Sequence, residues 1–146
     1  MLKRHVVTLL AVLGLSGLAR AASAQESQFK LVVSAQNPVG LLTRDDAAKL
    51  FLRKTPAWQD GKPVLPVELP EASAVRHAFT RSILGKDMDA LKSFWQQSIF
   101  SGRAVPPPER DSDADVLDYI RKYPGAIGYV SASTPLSADV KVVTVR

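Results

Sequence analysis

The sequence predicts an α/β domain whose sheet, mostly parallel, is flanked by helices. Short runs rich in apolar and β-branched residues alternate along the chain with longer segments whose apolar residues recur at helical spacing. The helical segments open on Ser, Thr or Asp and close on Gly or Pro-Gly. Strands separated by helices need crossover connections, and crossovers lay neighbouring strands parallel with helices covering both faces.

The elements follow in order. Residues 1–5 are basic, residues 6–19 are an apolar run broken by Gly14 and Gly17, and Ala22-Ser23-Ala24 is a small-x-small cleavage site. That pattern is an export signal over residues 1–24, with a run too short to span a bilayer. Residues 25–146 then form one domain, large enough for its own core. Residues 29–33, Phe-Lys-Leu-Val-Val, make a first strand, and Asn37-Pro38 marks the turn after it. Thr43 caps a helix with Asp45 and Asp46 in its first turn and Ala47, Leu50 and Phe51 on one face. Residues 53–62 are irregular, broken by Pro56 and Asp60-Gly61.

Residues 64–69 read as a short strand, which Pro66 places near an edge. Ser73 starts a second helix along Val75, Phe79 and Ile83, and Gly85 ends it. Asp87 caps a third helix that buries Met88, Leu91, Phe94, Trp95 and Ile99 and stops at Gly102. Residues 105–108, Val-Pro-Pro-Pro, are a stiff extended connector. Ser112 or Asp113 opens the last helix, with acids in its first turn and Arg121 and Lys122 in its last, the order the helix dipole favours. After Pro124-Gly125, residues 126–130 and 140–145 are two further strands.

Composition excludes several classes of function. The net charge of +5 overstates the basicity of the domain, because Lys3, Arg4 and Arg20 lie in the leader. The remaining basic residues are scattered, so nucleic acid is not expected as a partner. There is no cysteine, which removes disulfides, thiolate catalysis and cysteine-bound metal. His77 is the single histidine outside the leader, and no base partner is visible for it. Asp45 and Asp46, and the group Asp111, Asp113 and Asp115, sit at helix starts, where capping accounts for them. No cofactor and no enzymatic activity are expected.

One residue breaks the helix rule. With Ser73 as cap, Arg76 stands at the third helical position, where Glu or Gln would complete a capping box. A cation there is repelled by the partial positive charge of the helix start, and an anion docked on the free N–H groups turns the repulsion into attraction. The alternative is that Arg76 points sideways and pairs with Glu71 or Glu68. On open α/β sheets, ligands bind beyond the carboxyl ends of strands, which is where the turn after Leu69 lies.

A set of segments in fixed order adds a resemblance. Leu50-Phe51-Leu52-Arg53-Lys54, Trp58-Gln59-Asp60-Gly61, Pro66-Val67, residues 73–79, Phe94-Trp95, and Pro124-Gly125-Ala126-Ile127-Gly128-Tyr129-Val130 together resemble the substrate-binding proteins of phosphate ABC transporters. Their short, single-lobe relatives are the nearer likeness. The resemblance implies a single lobe of a type II periplasmic binding protein-like fold in the periplasm. It also implies capture of inorganic phosphate or a similar oxyanion at a helix start, without chemistry. A membrane permease or another periplasmic protein would be the partner. The family's anion loop reads Arg, three residues, then Ser-Gly-Thr. Ser73 matches the serine, Ala74 and Val75 replace the glycine and threonine, and Leu69 stands in place of the arginine. The expected anion site is therefore Ser73, the N–H groups of Ala74 and Val75, and the side chain of Arg76. The rival expectation is a protein-interaction domain that kept the fold and lost the ligand, with Arg53, Lys54, Trp58 and residues 106–108 on the partner surface.

Overall fold

The computed structural model describes residues 28–146; the expected export signal lies outside them. Five strands form one sheet in the order β2-β5-β1-β4-β3: β1 Phe29–Ser34, β2 Leu41–Leu42, β3 Leu65–Pro66, β4 Ala126–Ser131 and β5 Val140–Val145. The helices are α1 Arg44–Phe51, α2 Ala74–Phe79, α3 Met88–Phe100 and α4 Asp113–Lys122; α2 runs on into a π-helical turn, Thr80–Leu84.

The sheet is mixed, which corrects the expectation of a mostly parallel one. β1 lies at its centre and runs antiparallel to both β4 and β5, with Val32 opposite Gly128 on one side and Val142 on the other. Only the short outer pairs, β2 with β5 and β3 with β4, are parallel. Alternation of strands and helices implied crossovers; it did not reveal that the last two strands would flank the first. Pro66 sits in an outermost strand, where its missing N–H removes no ladder bond, while Leu65 and Val67 donate to Gly125 and Ile127.

Every α-helix begins on its expected cap. The side chains of Thr43, Ser73, Asp87 and Ser112 accept from the amides of Asp46, Arg76, Ala90 and Asp115, each three residues on. Gly85 ends the Ser73 helix in the left-handed region at φ 64. The core is built on Val32, Val33, Val67, Val116, Ile120 and Ile127 around an aromatic group. Phe79 of α2 stacks on Tyr129 of β4 at 3.9 Å between ring centroids, and Phe51 of α1 meets Phe79 edge-on at 4.6 Å. This group fixes α2 on the sheet, and with it the turn that leads into α2. Gly128 permits the close approach: a methyl group there would lie 2.8 Å from Val67 Cγ1 and 2.9 Å from Val116 Cγ1.

Candidate functional site

The turn between β3 and α2 is short and tightly drawn. Leu69 is buried in the core, and the Ser73 amide donates to the Pro70 carbonyl at 2.9 Å. Ser73 keeps extended backbone angles and its Oγ accepts from the Arg76 amide at 3.3 Å. The Ser73 carbonyl takes the His77 amide. The amides of Ala74 and Val75 are left without an acceptor among the described residues. Ala74 is exposed and Val75 half-buried, and the first amides of a helix have no partner within it. The other three α-helices carry acids in their first turn, Asp45 and Asp46, Asp89, and Asp113 with Asp115; α2 carries none. The partial positive charge of its N-terminus is thus not neutralised from within its own first turn.

The side chain of Arg76 does not join these amides, and here the expectation is corrected. The guanidinium is buried, with 7% of its side chain exposed. Its Nη2 donates to Glu68 Oε2 at 2.9 Å, and its Nη1 donates both to the Leu69 carbonyl at 2.9 Å and to Glu109 Oε1 at 2.5 Å. Nε is enclosed and has no acceptor. The sideways reading is the one realised, with Glu68 as the partner; Glu71 instead pairs with Lys92 of α3 at 2.5 Å. Arg76 supports the turn. It ties the end of β3, the first turn of α2 and the connector before α4 into one unit.

Burial dominates the electrostatics of that unit. Glu68 is 2% exposed, and burial pushes its carboxyl up to about 7; Arg76 pulls it down, and the neighbouring Glu109 pushes it further up. Burial also works against the charge on Arg76, but Glu68 and Glu109 more than offset it, so the guanidinium is held above its ordinary value. The Tyr129 hydroxyl, which accepts from the Leu69 amide at 3.4 Å, is raised by burial and by Glu68 and stays protonated. Glu109 is the member that sequence reasoning missed. It lies 33 residues from Arg76, and only the parallel bridge between Glu68 and Glu109 brings the two together.

The remaining candidates are placed plainly. His77 Nε2 contacts the Glu71 carbonyl at 2.9 Å and is joined to no nucleophile. Trp95 packs in the core, and its indole N–H has no acceptor. Trp58 donates its indole N–H to the Gly125 carbonyl at 2.9 Å, Lys54 lies over the Phe94 ring at 5.6 Å, and Pro107 is buried. These members of the expected partner surface are thus tied into the fold. Asp113 is more than a helix-start acid, since its Oδ2 accepts from the Ser131 amide and the Thr134 hydroxyl. Among the described residues no group of acids and histidines is arranged to hold a metal ion. No described helix is long and apolar enough to cross a membrane.

The fold is shared with solved structures of phosphate ABC transporter substrate-binding proteins. Three solved structures carry the likeness. A candidate phosphate ABC transporter substrate-binding protein of Clostridium perfringens, with phosphate bound, aligns with a TM-score of 0.65 and 23% identity over 81% of this chain and 44% of its own. An ABC-type phosphate transport receptor of Vibrio cholerae aligns at 0.63 and 17% identity, over 81% of this chain and 46% of its own. PstS of Borrelia burgdorferi aligns at 0.62 and 12% identity, over 82% of this chain and 47% of its own. The chain spans less than half the length of these proteins, and the likeness at these identities is one of fold. No protein-family model matches the sequence, and no curated protein does.

Proposed function

We propose that the chain is an exported, non-enzymatic module that binds inorganic phosphate or a similar oxyanion weakly on the N–H groups of Ala74 and Val75, beside Ser73. The observation that carries this reading is the open pair of amides at an acid-free helix start. The fold around them is shared with proteins of phosphate transport. Backbone amides at a helix N-terminus need no particular side chain to hold an anion. Arg76 serves as the strut that holds the turn, with its guanidinium already engaged by Glu68 and Glu109.

Affinity follows from what is missing. Leu69 gives no guanidinium fork and Val75 no hydroxyl. Charge-assisted hydrogen bonds contribute about 1.5–3 kcal/mol each, so each loss weakens binding roughly tenfold or more. The module is therefore a weak binder, at a site open to water. The expected setting is the periplasm, with a membrane permease or another periplasmic protein as partner. The test is a titration of the isotope-labelled domain with phosphate and with sulfate against chloride at matched ionic strength. Saturable shifts centred on the Ala74 and Val75 amides support the reading. The absence of any oxyanion-specific shift at millimolar concentrations removes it.

A further inference from the structure

We infer that Glu68, Arg76 and Glu109 form a proton-operated latch, which holds the connector before α4 against the edge of the sheet and loosens it as Glu68 loses its proton. The geometry supplies the parts. The Glu68 amide donates to the Pro108 carbonyl at 3.0 Å and the Arg110 amide donates to the Glu68 carbonyl at 2.8 Å, so the connector lies as an added strand beside residue 68. Arg76 fastens the same two places through side chains, reaching Glu68 and Glu109 at once.

The charges do not balance when both acids are ionised. Two carboxylates then share one guanidinium, and the excess negative charge sits where water is scarce. With Glu68 protonated the cluster is neutral. Glu68, at 2% exposure, has no route to water, whereas the Glu109 side chain is 46% exposed. Glu109 also lines a cleft of about 540 Å³ along α4 with Tyr119 and Lys122. Glu109 is therefore the arm that swings out, and its departure removes the side-chain tie from Arg76 to the connector.

The groups facing Glu68 come from each packed element: Arg76 from α2, Glu109 from the connector and Tyr129 from β4. Tyr129 stays protonated and adds no charge. The Arg110 guanidinium is turned away, donating to the Glu109 carbonyl and lying 4.7 Å over the Tyr119 ring. The raised carboxyl of Glu68, near 7, places the switch between the ordinary carboxylate range and neutrality. The sign follows from linkage. A group that is harder to ionise when the latch is closed favours the closed form at low pH, and that preference is lost as pH rises to neutrality.

The experiment reads hydrogen exchange at the Arg110 amide together with the ¹³C titration of the Glu68 carboxyl. After division by the intrinsic rate, protection of Arg110 is expected to fall by up to about tenfold per pH unit from the ordinary carboxylate range to neutrality, then to level off. In Glu68→Gln the same protection should be independent of pH. A flat profile in the wild type, or a slope that survives in Glu68→Gln, overturns the latch. If that variant does not fold, the wild type decides alone. A Glu68 carboxyl whose midpoint coincides with the pH at which Arg110 protection levels off supports the inference, and a carboxyl that titrates in the ordinary carboxylate range overturns it.

Discussion

Replacing Arg76 by leucine separates a strut from a ligand contact. The change removes the bonds from Nη1 and Nη2 to Glu68, Glu109 and the Leu69 carbonyl. Glu109 can hydrate, being half exposed. Glu68 cannot: it is 2% exposed, and without the guanidinium that pulls its carboxyl down it takes up a proton instead. A buried group stripped of its partner costs about 1–3 kcal/mol, and the change strips both the Leu69 carbonyl and the Glu68 carboxyl. A domain of this size is stable by about 5–15 kcal/mol, so Arg76→Leu should lose a large fraction of its stability at neutral pH. The loss should be nearly constant below neutrality, where Glu68 is protonated with or without the guanidinium, and grow above it, where only the wild type can ionise. Urea unfolding at two pH values reads both effects. The double variant Glu68→Leu with Arg76→Leu should recover most of the loss, since an apolar pair can fill the same space without desolvation. A single variant within about 1 kcal/mol of the wild type at neutral pH would refute the reasoning, because a buried carbonyl and carboxyl stripped of their donors cost more than that.

Other outcomes follow from the same geometry. Glu68→Gln should be more stable than the wild type at neutral pH and lose that advantage in acid. Burial pushes the carboxyl up to about 7, so the advantage should reach roughly 3 kcal/mol, measurable by urea unfolding across the range. Gly128→Ala should destabilise by about 1–3 kcal/mol in thermal or urea unfolding, because the added methyl meets two buried valine methyl groups that have no room to retreat. Ser73→Ala removes the cap on the Arg76 amide and should cost about 1 kcal/mol by the same assay.

Local chemistry made much of this fold legible. Thr43, Ser73, Asp87 and Ser112 each satisfy an amide three residues on, so cap preferences alone located four helix starts. The long strands and the buried faces through Phe51, Phe79 and Trp95 were readable from periodicity. Features that depend on distant partners were not. β2 is two residues long and exists as a strand through its pairing with β5, more than a hundred positions later. Strand direction depends on where β1 inserts between β4 and β5, which no local pattern encodes. At the candidate site, the cap and the acid-free first turn were visible in sequence, while the fate of the Arg76 guanidinium was not. A helix-start arginine is an open cation or a buried strut according to what the chain brings against it, and Glu109 arrives from the far side of α3.

The oxyanion proposal is tested most directly by one substitution in the phosphate titration. Ala74→Pro deletes one of the two open amides without disturbing the helix, since proline suits the first helical position and Ser73 already holds the extended backbone that must precede it, at ψ 127. The account predicts that wild-type amides at Ala74 and Val75 shift saturably with phosphate, and that Ala74→Pro, equally stable, weakens the remaining Val75 response by about tenfold or more. An unchanged Val75 titration in Ala74→Pro would contradict it.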